Sequence, residues 1–295
     1  MTLDQLRIFV EVATREHITR TATALNMTQS AVSAAITALE GRHGVELFDR
    51  VGRSIVLNQT GRAFLKEAVA VLASARTAEG ALADLAGLKR GELSVMGSQT
   101  IAGYWLPARL VRYREKFPGI TLGVRVGNTV DVADAVEAGE VEIGLVEGQV
   151  ERPALSVEVV ATDEMIVVVA PQHPWASLAK LRSSQLPESP WVIREPGSGT
   201  RLAFENLIAR EGIDRNELDI AMTLPGNEIV SGAVEAGPGA MLVSRAVVAS
   251  KLKSGTLCEV AYPPTPRPFY LLRHKERYRS KAGDAFVAMI RERGK

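Results

Sequence analysis

Cysteine is almost missing from this chain. Its 295 residues contain one, Cys258, which excludes an intrachain disulfide and a cysteine-rich metal site. Histidine is scarce as well. His17, His43, His173 and His274 are widely separated, and none has the spacing of a metal pair. Charge of one sign is not in excess: 35 Lys and Arg face 34 Asp and Glu, a net of +1, so no general attraction to polyanions or membranes follows. Long apolar runs are absent too. Stretches such as residues 165–170 are far too short to span a bilayer. Met1-Thr2-Leu3-Asp4 leads straight into a helical pattern without a signal-peptide texture, so a cytoplasmic location is expected. What remains is ordinary globular material, 46% hydrophobic and 23% charged, long enough for a small domain and a two-lobed one.

The densest information lies in residues 18–61. Two short helical patterns flank Asn26-Met27-Thr28. The second covers about residues 29–40, with Val32, Ile36 and Leu39 on one stripe. Ser30, Ser33, Ala34 and Thr37 form the opposite stripe, small and mostly polar. A helix that buries one side and offers small residues on the other fits the DNA major groove without clashes. Thr28 suits the N-cap, which puts Gln29 and Ser30 at the helix start. Residues 45–50 and 54–57 then read as two strands of a wing, with Arg50 and Arg53 placed to reach phosphates. Charge alone would not have suggested DNA. Residues 1–60 hold six arginines (Arg7, Arg15, Arg20, Arg42, Arg50, Arg53) and six acids (Asp4, Glu11, Glu16, Glu40, Glu46, Asp49). The competing reading is a small helical unit that binds protein.

Ala22, Leu25, Thr28-Gln29-Ser30-Ala31-Val32-Ser33, Ile36, Leu39-Glu40, Gly44, Leu47-Phe48, Arg50 and Gly61 together resemble the winged helix-turn-helix of LysR-type transcriptional regulators. Length and element order extend the resemblance to the whole chain. The sequence departs from the family pattern at Ala34, Ala35 and Thr37, where members often carry Gln, Arg or Lys. It departs again at Thr21, where Ala is usual, and at Asn58, where Thr is common. The resemblance implies a DNA-binding transcriptional regulator. Its expected fold is a mainly α winged helix-turn-helix over residues 1–58, a linker helix over 59–88 and an effector domain over 90–295. That last domain is expected to be α/β, two-lobed and periplasmic-binding-protein-like (type 2). Lobe I takes about 90–161 and 268–295, and lobe II about 162–267. Implied partners are double-stranded promoter DNA, a second copy through 59–88 with assembly to a homotetramer, and a small effector. RNA polymerase is a further partner that the family allows. No cofactor is expected.

The chain in order fits this plan. Thr2 and Gln5 make a capping box for a first helix whose apolar face is read as Leu3, Leu6, Val10 and Ala13. From Asn58 a long helix carries Phe64, Ala68, Val71, Ala75, Ala78, Leu82 and Leu85 in a heptad seam, over a span on the order of 45 Å at about 1.5 Å per residue. Such a seam suits pairing with a second copy, and packing on its own chain is the alternative. Residues 87–91 look like a hinge. Strands and helices then alternate, which predicts parallel strands with helices on the sheet faces. Two extended runs between residues 155 and 171, and another at 268–272, carry the chain between the lobes.

Three strand-to-helix junctions supply the candidate effector site: Ser98-Gln99-Thr100, Asn128-Thr129 and Gly197-Ser198-Gly199-Thr200. Ligands bind at the carboxyl ends of parallel strands, and helix N-termini offer free N–H groups to anions. Arg194 or Arg201 would add a charge-assisted bond. The expected ligand is a small anionic or carboxylate metabolite. The plainer alternative at each junction is a simple N-cap. An enzyme is the rival class, and its signals are weak. Cys258 lacks a nucleophile motif, and the Gly-Ser-Gly-Thr loop lacks the lysine of a phosphate loop. The basic run at residues 273–281 is read as a solvated loop rather than a second nucleic-acid patch.

Overall fold

A computed structural model describes residues 1–52, 54–85 and 91–292. The chain divides into two compact units, one of residues 1–85 with 138–140 and the other, among the described residues, of 91–137 and 141–292.

The first unit opens with α1 (Leu3–Arg15), closed at its start by the Thr2–Gln5 capping box. Its buried face is not quite the expected one. Leu6, Phe9, Val12 and Ala13 are buried, whereas Leu3 is 49% exposed. Phe9 turns the helix toward the core, where its ring meets Phe48 and Phe64 at 5.6 and 4.9 Å. α2 (Ile18–Ala24) and α3 (Gln29–His43) follow. Val32, Ile36 and Leu39 are the buried stripe of α3, in the same cluster as Leu6, Phe9 and Val12. The wing is β1 (Phe48–Val51) paired antiparallel with β2 (Ser54–Leu57). Residues 45–47 are not strand, because their amides are spent on the end of α3. Val45 donates to the Glu40 carbonyl, and Leu47 donates to Glu40 Oε1 at 2.8 Å.

α4 (Gln59–Leu85) is capped by Asn58, whose Oδ1 accepts from the Gly61 amide at 2.8 Å and whose Nδ2 donates to the Glu46 carbonyl. Gly61 has no substitute here, since a Cβ would lie 2.1 Å from the Leu47 carbonyl oxygen. The heptad seam splits in two. Phe64 and Ala68 pack into the core of this unit, while Val71, Leu82 and Leu85 are 41%, 69% and 85% exposed. Residues 86–90, which include most of the expected hinge and the end of the linker, lie outside the described residues; Gly91 begins the next strand.

The second unit is one nine-stranded sheet flanked by helices. Its strands are β3 (Gly91–Ser98), β4 (Ile120–Gly127), β5 (Ile143–Val146), β6 (Leu155–Val169), β7 (Trp191–Arg194), β8 (Ile220–Leu224), β9 (Ala240–Ser244), β10 (Cys258–Glu259) and β11 (Thr265–His274). The order is β4-β3-β5-β11-β6-β9-β7-β8, with β10 paired to β6. Each lobe contributes three parallel strands. β6 and β11 run antiparallel to each other through the middle and carry the chain across. The two expected runs between 155 and 171 are therefore a single strand of 15 residues.

Helices cover both sheet faces, as buried parallel strands require. In lobe I these are α5 (Leu106–Lys116), entered through a π-helical turn at Ile101–Trp105, α6 (Thr129–Ala138) and α10 (Lys281–Arg291). In lobe II they are α7 (Gly199–Arg210), α8 (Asn227–Ala236) and α9 (Arg245–Ser254). The sequence reading missed α9. The basic run is the expected loop over residues 275–280, and Arg273 at its start is the exception. Arg273 is buried between Glu142 and Asp284, each 2.5 Å away, because β11 carries it under α10. Among the described residues no helix is long and apolar enough to cross a membrane.

Candidate functional sites

The first site is a groove on the N-terminal unit. Thr28 caps α3, its hydroxyl accepting from the Ala31 amide at 3.2 Å and lying 3.0 Å from Ser30 Oγ. That cap fixes the first turn, leaving Gln29, Ser30 and Thr37 exposed and Ser33 half-buried. Gln29, Ser33, Thr37 and Arg50 line one groove of about 370 Å³ between α3, the start of α2 and the wing. Arg53 lies outside the described residues. The sequence reading missed Glu16, which stands in left-handed backbone at the end of α1 and accepts from the Leu57 amide at 2.9 Å, tying the wing to the helices.

The second site lies between the lobes of the C-terminal unit. Ser98 ends β3, Thr129 opens α6 and Thr200 lies in the first turn of α7. The three junctions do meet. Ser98, Gln99, Thr100, Asn128, Thr129, Arg194, Ser198 and Thr200 surround a cavity of about 10 Å³, room for about one water. Gly199 presses against the opposite lobe, where a Cβ would lie 2.9 Å from the Gly148 amide nitrogen.

Several of these residues are committed within the protein. Asn128 Oδ1 accepts from the Asp131 amide at 2.9 Å, and Ser198 Oγ accepts from the Thr200 amide at 3.2 Å, both as helix caps. Gln99 Oε1 accepts from the Asn227 amide, and Asn227 Nδ2 donates to Thr100 Oγ1 at 3.1 Å, so the start of α8 is held from the other lobe. Tyr104 adds a third such bond, its hydroxyl donating to Glu228 Oε1 at 2.9 Å. Burial and this bond push the Tyr104 hydroxyl pKa up to about 12.

The arginines are less available than the sequence implied. Arg194 is buried, grips both oxygens of Glu195 at 2.7 Å and donates to Asn227 Oδ1 at 2.6 Å. Burial works to raise the Glu195 carboxyl pKa, but the bonds and charge of Arg194 outweigh it and hold the group low. Arg201 is not on the cavity wall. It turns along α7 to Glu205 at 2.6 Å and to the Arg194 carbonyl. A further cation, Arg267 of β11, lines the neighbouring pocket and donates to Thr200 Oγ1 at 3.2 Å and to Asp163 Oδ2 at 2.5 Å. Nothing local in the sequence marked it. Two hydroxyls are left over: Ser98 Oγ and Thr129 Oγ1 are buried with no hydrogen-bond partner among the described residues.

A small-residue reading helix with a wing, joined to a two-lobed receptor fold, defines a class of ligand-responsive DNA-binding proteins. The family model described as the LysR substrate binding domain matches residues 86–295, and that of the bacterial regulatory helix-turn-helix protein, lysR family, matches residues 3–62. The chain belongs to the LysR family of transcriptional regulators, and it is not an enzyme.

The HTH-type transcriptional regulator YeiE of Escherichia coli K12 is 37% identical, over 97% of this chain and 96% of that protein. A protein of Cyanidioschyzon merolae described as a probable RuBisCO transcriptional regulator is 33% identical, over 98% of this chain and 97% of its own length. The fold matches full-length CbnR complexed with target DNA at TM-score 0.73 and 22% identity, over 99% of each chain. It also matches the CcmR regulatory domain of Synechocystis PCC6803 in complex with 2-PG at TM-score 0.63 and 24% identity, over 68% of this chain and 96% of that one.

Proposed function

We propose that residues 1–58 read promoter DNA, residues 59–88 pair two copies of the chain, and residues 90–295 respond to a small anionic ligand held between the lobes. In the DNA major groove, Ser30, Ser33 and Thr37 face bases, while Gln29, Arg50 and Arg53 position the unit on phosphates and Thr28, as the cap, sets the start of the DNA-facing helix. The exposed Val71, Leu82 and Leu85 of α4 support pairing through that helix, and assembly to a tetramer rests on the family pattern. RNA polymerase as a further partner rests on family resemblance alone.

The observation that carries the ligand reading is the pair of unpartnered buried hydroxyls, Ser98 Oγ and Thr129 Oγ1, beside the starts of α6 and α7. Buried polar atoms are normally satisfied, and two orphans on one cavity wall mark a place where a ligand's oxygens would complete the bonding. The CcmR regulatory domain, of the same fold and in complex with 2-PG, supports a small ligand for this domain. A ligand larger than one water has to part the lobes, so it acts by its different affinity for the open and closed arrangements.

Thr100 tests the reading. Its hydroxyl is the acceptor for Asn227 across the cleft. Thr100→Val should reduce the ligand response in a thermal-shift and promoter-binding assay while operator affinity without ligand stays unchanged. An unaltered ligand response would remove Thr100 from the site.

A further inference from the structure

Glu147 lines the same cavity, and neither the junction pattern nor the helix termini call for it. It follows the last residue of β5, which is paired with β3 on one side and β11 on the other, so its position is set by a rigid element. It is 6% exposed. Its side chain has no hydrogen bond or ion pair to any described residue, while every nearby cation is engaged elsewhere: Arg194 with Glu195, Arg201 with Glu205 and Arg267 with Asp163. Glu147 and Gly199 also line a neighbouring pocket of about 200 Å³, so the carboxylate stands where the cleft continues into free space. An approaching anion with only acceptor oxygens would meet this carboxylate as a like charge, whereas a hydrogen-bond donor on the ligand would be drawn to it.

We propose that Glu147 sets the ligand class: the effector carries, besides its acidic group, a hydroxyl or ammonium that donates to the Glu147 carboxylate. The acidic oxygens accept from Ser98 Oγ and Thr129 Oγ1 and face the helix starts, and the donor group faces Glu147. The two buried hydroxyls then gain acceptors, and the carboxylate, otherwise a like charge, gains a donor. A small hydroxy acid or amino acid has this pattern; a plain carboxylate or sulfate does not. The inference rests on the anion reading of the cleft.

The test is a thermal-shift titration of the full-length protein with lactate, alanine, propionate and sulfate, on wild type and Glu147→Gln. In wild type, lactate or alanine should bind at least about tenfold more tightly than propionate, as expected for a hydrogen bond to a charged group. Lactate against alanine tells a hydroxyl from an ammonium. In Glu147→Gln that preference should shrink, and propionate and sulfate should bind better than they do to wild type. Propionate or sulfate binding wild type as tightly as lactate and alanine would overturn the role of Glu147 and leave the anion site standing. No stabilisation of either protein by any of the four would overturn the anion reading and this inference with it. The wild-type comparison needs no variant, so it decides the point even if Glu147→Gln folds poorly.

Discussion

Arg50 stands on the exposed face of the wing, at the edge of the groove that α3 opens. A guanidinium there sees phosphate before it sees bases. Arg50→Ala should therefore lower affinity for all DNA sequences alike and reduce the slope of log affinity against log salt by about 1. Binding measured on operator and random duplexes at several salt concentrations checks this. A loss confined to the operator would mean that Arg50 reads bases.

His173 poses a different question at the same scale. Its Nδ1 accepts from the Trp175 amide at 3.0 Å, so the ring proton lies on Nε2, 3.0 Å from Ser189 Oγ. Burial lowers its pKa below the ordinary 6.5. Between the lowered folded value and 6.5 the unfolded chain binds more protons, so this contribution to stability is complete above about pH 6.5 and declines as pH falls below it. His173→Asn keeps a capping oxygen but cannot titrate. The melting temperature of wild type should fall more steeply than that of the variant as pH drops from 7 toward 5.5. Parallel curves would show that His173 does not titrate in this range.

At the scale of elements, α4 serves two surfaces. Its first turns complete the core around Phe9, and its later turns expose Val71, Leu82 and Leu85. Apolar periodicity alone cannot separate these uses, because the same seven-residue repeat faces the chain's own core at one end and open surface at the other. Leu82→Lys removes an exposed leucine from the proposed seam without touching the buried portion. The loss of a buried leucine is worth about 1.5–3 kcal/mol, so the dimer dissociation constant should rise at least about tenfold in sedimentation equilibrium, with the monomer still folded. An unchanged constant would place the dimer contact elsewhere.

Across the whole molecule, the structure has its lobes drawn together by bonds from α8 to Thr100, Gln99 and Tyr104. A ligand that parts them competes with these bonds, and any effect on DNA binding must be matched by an equal effect of DNA on ligand affinity.

The sequence by itself determined the local elements and their caps. Thr2, Thr28, Asn58 and Ser198 each accept a backbone amide within a few residues, and the buried stripe Val32, Ile36 and Leu39 follows from helical period alone. It also placed three junctions at strand ends, and the alternation of strand and helix is enough to bring such ends together. Partnership across distance was decided only in the tertiary structure. Asp163 and Arg267 are 104 residues apart and meet because β6 and β11 run side by side. Arg194 and Arg201, which look like ligand cations in the sequence, are instead consumed by Glu195 and Glu205. Glu147 is an unremarkable acid after a short strand until the second lobe closes over it. The physical reason is the range of the forces read. Helical period, capping and turn chemistry act over a few residues, whereas the satisfaction of a buried charge depends on whichever group the fold brings near it.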